Sequence, residues 1–170
     1  MPDASATFDL DHPVDLRMTL AAVAQGRSDP TLRIGAGGVW RASRTPEGPA
    51  TLRLRVAGGT DPRLVADGWG PGAAWAVAQA SELVGGGDRM DGFEALARRH
   101  PVVWHLHRSH RWLRVPRTRR VFESLVPTIC AQKVKGIEAR RSYRAIVRTW
   151  GEAAPPADGV PGAPRLRLLS

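Results

Sequence analysis

The chain has 170 residues, enough to bury a core in one generous domain. Lys and Arg number 25 against 16 Asp and Glu, a formal net charge of +9 that favours polyanions such as nucleic acid or an anionic membrane surface, although an Arg-, Ala- and Gly-rich chain also records the base composition of its gene. The N-terminus lacks a signal-peptide profile and no run of about 18 apolar residues occurs, so neither a secretory leader nor a membrane span is expected and the cytoplasm is the expected location.

Residues 1–7 are small and polar and read as a loose tail. Phe8–Leu10 reads as a short strand. Pro13 opens a segment with Val14, Leu16, Met18, Leu20 and Val23, read as a helix ending near Gly26, though Leu16, Met18 and Leu20 also alternate as a strand would. Leu32–Ile34 and Val39–Ser43 are β-prone runs around a Gly35–Gly38 turn, and Arg44–Pro49 is turn chemistry. Thr51–Val56 alternates strictly, with Leu52, Leu54 and Val56 on one face and Arg53 and Arg55 on the other. That pattern predicts an antiparallel sheet covered on one side, ended by Gly58-Gly59-Thr60-Asp61-Pro62. Pro71–Val84 reads as a helix closed by Gly85–Gly87, and Gly92–Arg99 as a shorter one. Residues 1–97 therefore read as an α+β domain, a small antiparallel sheet with helices packed on it.

Composition shifts over residues 98–120, which hold eight Arg and four His and no Asp or Glu, interleaved with Trp104, Trp112, Leu106 and Leu113. Such a basic connector fits DNA phosphates, with Arg119 and Arg120 as candidate contacts, and equally a solvated loop pinned by two tryptophans. His105, His107 and His110 lack a carboxylate or cysteine to complete a shell, so no metal site is expected.

Residues 121–151 read as two helices. The first carries Val121, Phe122, Leu125, Val126 and Ile129 as an apolar stripe, with Cys130, the lone cysteine, as a small inward residue. The second carries Ile137, Tyr143, Ile146, Val147 and Trp150, with Arg140, Arg141, Arg144 and Arg148 over much of the rest and Gly151 as the stop. Between them lies a basic corner, Ala131-Gln132-Lys133-Val134-Lys135-Gly136, with no acidic residue from Ser124 to Ile137. Residues 152–170 are Pro/Gly-rich and read as a linker into an apolar run that has only begun, which implies a missing second half.

Phe122-Glu123-Ser124-Leu125-Val126, then Ile129-Cys130-Ala131-Gln132-Lys133-Val134, then Ala139 and the run to Trp150-Gly151, resemble the helix-hairpin-helix DNA glycosylase superfamily, in particular its AlkA-type 3-methyladenine glycosylases. Trp69-Gly70-Pro71-Gly72-Ala73 and Gly92-Phe93 are similar to that family's N-terminal half. The resemblance covers most of residues 8–160 and implies the first helices of an incomplete all-α glycosylase domain after the α+β unit. It also implies duplex DNA with alkylated bases as partner and a monofunctional enzyme that flips a base and hydrolyses its N-glycosidic bond, with no cofactor and no obligate protein partner.

By position, the resemblance gives Lys133 the wedge place in DNA, beside Gln132, which would touch base edges or brace the corner, with Lys135 next along; a polar turn capping two core helices is the plainer alternative. Two family parts are absent. Val160-Pro161-Gly162-Ala163-Pro164 mimics letters of the signature hairpin, but Pro155, Pro156 and Pro164 forbid flanking helices. No residue matches the catalytic Asp, since Asp158 sits in the Pro/Gly stretch. The expectation is a glycosylase portion inactive by itself, against a non-catalytic DNA-binding module and an inactive remnant with open apolar faces.

Overall fold

The computed structural model describes residues 1–58 and 61–169; Gly59 and Thr60 of the expected turn, and Ser170, lie outside the described residues. In chain order the N-terminal half contains β1 (Ala4–Asp9), α1 (Leu16–Ala21), β2 (Leu32–Gly35), β3 (Gly38–Thr45), β4 (Gly48–Ala57) and β5 (Arg63–Trp69). The helices α2 (Ala73–Ala78), α3 (Ala80–Leu83), α4 (Phe93–Ala97), α5 (Pro101–Ser109), α6 (Val121–Cys130) and α7 (Gly136–Trp150) follow, then the short pair β6 (Glu152–Ala153) and β7 (Arg167–Leu168).

Strand β4 is the centre of a five-stranded antiparallel sheet in the order β1-β5-β4-β3-β2, so the expected α+β class holds. Its alternation sets the two faces: Leu52 lies opposite Arg41 of β3 and Gly68 of β5, and Leu54 lies opposite Val39 and Ala66. On this side Leu54, Leu64, Leu20 and Val84 are fully buried beneath α1, α2 and α3, each such side chain contributing about 1.5–3 kcal/mol. Gly68 lets α2 approach β5 closely, since a Cβ there would lie 2.9 Å from Val77 Cγ2 and 3.0 Å from the Ala73 carbonyl. Asp15 starts α1 by accepting the Met18 N–H at 2.9 Å.

The opposite face departs from the expectation of a sheet covered on one side. Trp40 and Trp69 stack there, ring centroids 5.5 Å apart, and Leu166 and Leu168 seal them. Residues 152–169, expected as a linker, thus form part of the core. Thr51 Oγ1 donates to the Pro155 carbonyl at 2.6 Å, the Arg167 N–H donates to the Pro30 carbonyl at 2.8 Å, and Arg44 pairs with Glu152. Pro and Gly supply the turns of this strap, and its few leucines supply the burial. Farther along the same face Arg53 lies over the Trp40 ring at 5.1 Å. Burial and the neighbouring Arg55 lower the Arg53 guanidinium pKa, partly offset by Asp67.

Other local expectations shift. Residues 4–7 are not tail but β1, paired with β5 from Ala4↔Gly68 to Asp9↔Arg63. Strand β5 had no clear sequence signal, because its two faces are both occupied and Asp67 and Gly68 are poor strand formers. The expected 71–84 helix is interrupted at Gln79, which joins α2 to α3. The basic connector is partly helical, since Pro101 opens α5 with four-residue bonds.

Candidate nucleic-acid interface

Helix α6 is held to the sheet by one carboxylate. Strand β2 stops pairing β3 at Leu32↔Arg41, and the Ala42 N–H points toward β2 to reach the Thr31 carbonyl. Arg44, two residues on, therefore aims its N–H at an edge β2 no longer covers. Glu123 fills that gap: its carboxylate accepts from Arg44 N at 2.9 Å, Ser43 Oγ at 2.7 Å and Arg41 Nη2 at 2.8 Å. Side-chain exposures of 11% for Arg41 and 12% for Glu123 make this a mostly buried pair.

Helix α7 is held by Ala139, Tyr143 and Val147, all buried, with Leu169 completing the cluster. The Tyr143 hydroxyl lies 3.3 Å from Thr31 Oγ1; burial is the main cause that raises its pKa to about 12. Asp29 accepts from Thr31 N and Oγ1 and from Gln25 N, fixing the loop that receives Tyr143. At the far end Arg167 closes the helix, donating from Nε to the Val147 carbonyl at 3.2 Å and from Nη2 to the Gly151 carbonyl. A cavity of about 190 Å³ remains among β3, α6 and α7, lined by Arg41, Glu123, Thr128 and Tyr143. The three donors that Glu123 accepts make its carboxylate a tether and leave it poorly placed as a general base.

The corner between these anchored helices spans residues 131–135, and Gln132, Lys133 and Lys135 are all exposed on it. Lys133 takes the left-handed conformation, φ 57°, which a residue with a Cβ adopts at a cost on the order of 1 kcal/mol. Lys135 leads into α7, and its N–H is accepted by Glu138 Oε2 at 3.3 Å. Three of the five candidate residues thus share one site.

Arg119 and Arg120 do not join them. They stand at the start of α6, and the ten residues of that helix span about 15 Å. Arg119 is also left-handed, φ 52°, and is bound to Glu82 of α3 at 2.6 Å. Arg120 Nε is buried without a hydrogen-bond partner, 4.0 Å from Glu123 Oε1. Both help seat α6. Other connector cations are likewise engaged, Arg117 with Asp88 at 2.6 Å and Arg98 with Glu94 at 2.6 Å and over Trp104. Glu94 is held below the usual carboxylate range, chiefly by its hydrogen bond from Arg98.

Outward from the anchors, α6 exposes Val121, Phe122, Leu125 and Ile129, and α7 exposes Ile137 and Trp150 at its two ends. Cys130 is half-buried against the Tyr143 cluster. Val160–Pro164 forms turns, with Ala163 N–H to the Val160 carbonyl at 3.2 Å, and Asp158 is exposed. Among the described residues no group of three or more His, Cys, Asp or Glu is placed to hold a metal ion, and no helix is long and apolar enough to cross a membrane.

No protein-family model matches the chain, and no curated protein matches it. Its fold is similar to that of a 3-methyladenine DNA-glycosylase from Archaeoglobus fulgidus, with TM-score 0.72 and 14% identity over 95% of this chain and 55% of that one. It is similar also to MBOgg1, solved in complex with a low-affinity DNA ligand, with TM-score 0.68 and 10% identity over 99% of this chain and 52% of that one. The chain has the fold of about half of these DNA glycosylases and spans about half their length.

Proposed function

We propose that this chain is the DNA-engaging portion of a base-excision DNA glycosylase for alkylated purines such as 3-methyladenine. The carrying observation is the fold shared along 95% of the chain with a 3-methyladenine DNA-glycosylase, taken with an exposed cationic corner that a buried ion pair and a buried tyrosine hold rigid. Enzymes that act on a base take it out of the stack, and a side chain fills the gap. Lys133 is the wedge, its stem lying among bases while its ammonium reaches a phosphate, and Gln132 contacts base edges. The catalytic carboxylate is not among the residues of this corner, so these residues alone bind and distort DNA without releasing the base.

A duplex carrying 2-aminopurine beside the target site tests this. Binding is expected to raise its fluorescence as the neighbouring base unstacks, and Gln132→Ala with Lys133→Gly is expected to abolish the rise. Binding without any rise would overturn the base-flipping reading, and release of 3-methyladenine from methylated DNA by these residues alone would overturn the division of labour. A second reading, a DNA-binding module without chemistry, is favoured by the absence of any acidic residue from Ser124 to Ile137; it predicts the same salt-sensitive binding with no fluorescence change.

A further inference from the structure

Helix α7 carries four arginines, Arg140, Arg141, Arg144 and Arg148. The packed side of this helix is Ala139, Tyr143 and Val147. At 100° per residue, Arg144, Ile137, Arg148 and Arg141 fall about 100–160° round from the centre of that side, in one stripe along a flank of the helix. Their Cα positions along the axis step by about 4.5 Å from 141 to 144 and about 6 Å from 144 to 148. A solvated helix face usually mixes both signs of charge, yet from Ala139 to Trp150 there is no acidic residue. Among the described residues none of the three guanidinium groups has a carboxylate within 4.0 Å, in contrast to Arg41, Arg44, Arg98, Arg117 and Arg119. Arg140 differs from the three, because it leans over the loop between α1 and β2, where a Cβ on Gly26 would sit 2.8 Å from its Cδ.

We propose that Arg141, Arg144 and Arg148 form a track for the phosphate backbone of duplex DNA, with Lys133 and Lys135 at its leading end. The proposal rests on the DNA-binding reading above and adds to it the surface that carries affinity. It also moves that surface: Arg119, bound to Glu82 of α3, and Arg120, beside Glu123 of α6, hold the protein together, and the α7 stripe meets DNA.

Salt dependence separates the two claims. Each phosphate contact contributes about 0.9 to the slope of log affinity against log salt, so replacing all three arginines by glutamine is expected to lower the slope by about 2.7. Between about 50 and 200 mM salt this shrinks the change in affinity by about 40-fold. The three corresponding lysine substitutions keep the charge and are expected to restore the slope, and an unchanged melting temperature for both sets shows that the fold is intact. A control set, Arg17→Gln with Arg27→Gln and Arg165→Gln, removes as much charge elsewhere and is expected to leave the slope within about 1 of the parent. No binding by the parent chain would overturn the DNA reading itself. Salt-dependent parent binding with an unchanged slope in the α7 glutamine set, or an equal loss in the control set, would overturn the track alone.

Discussion

Glu123→Ala is expected to destabilise the protein by about 3 kcal/mol, near the lower end of the about 3–5 kcal/mol seen when one partner of a buried ion pair is removed. The substitution strands the Arg41 guanidinium, 11% exposed, and takes the acceptor from Ser43 Oγ and Arg44 N–H. The adjoining cavity of about 190 Å³ admits water to those donors, which keeps the loss from the upper end. For a chain of this size each kcal/mol is worth about 2–4 °C, so the melting temperature is expected to fall by about 6–12 °C. The assay is urea and thermal denaturation of Glu123→Ala, Arg41→Met and the double variant. If the carboxylate acts through Arg41, the double variant is less destabilised than the sum of the singles by more than about 1 kcal/mol. A fall below about 2 °C, or strict additivity, would refute the assignment of Glu123 as the tether of α6.

Three further outcomes are expected. Tyr143, the sole tyrosine, has its pKa raised to about 12 in the folded chain against about 10 unfolded; the unfolded chain loses its proton first, so stability falls as pH rises from about 10 to 12 by on the order of 2 kcal/mol. Tyr143→Phe should flatten that alkaline limb, and phenolate absorbance in the ultraviolet should titrate late and in step with unfolding. Leu168→Ala, fully buried against the tryptophans, should cost about 2–5 kcal/mol in denaturant titration, whereas a loose terminal strap would give less than about 0.5 kcal/mol. Lys133→Gly should hold or slightly raise the melting temperature by relieving the left-handed residue, while Lys133→Val should lower stability by about 1–3 kcal/mol; equal effects would show that the corner is not strained there.

What sequence made legible was what lies along one element. Strand β4 and helices α6 and α7 were plain from alternation and from a helical stripe, and the exposure of Gln132, Lys133 and Lys135 followed from a polar run between apolar ones. Pairings across the chain were not. Glu123 reads as an ordinary first-turn acid, and nothing local ties it to Arg41 and Ser43, some eighty residues away. Arg119 and the α7 arginines look alike in a list of cations, and only the placement of Glu82 separates the engaged from the unpaired. In residues 152–169 composition misled, because prolines and glycines outnumber the three leucines that carry the burial, Leu166, Leu168 and Leu169.

The strap formed by those residues has a kinetic meaning. Its partners are early in the chain: Thr51 for Pro155, Arg44 for Glu152, Pro30 for Arg167. The helical side of the sheet can collapse from residues 1–84 alone, but the tryptophan side stays wet until more than eighty further residues have been synthesised. Contacts of such long range slow folding and leave an aromatic surface open on the ribosome. Closing the strap over Trp40 and Trp69 also caps α7 through Arg167 and so sets the mounting of the Lys133 corner.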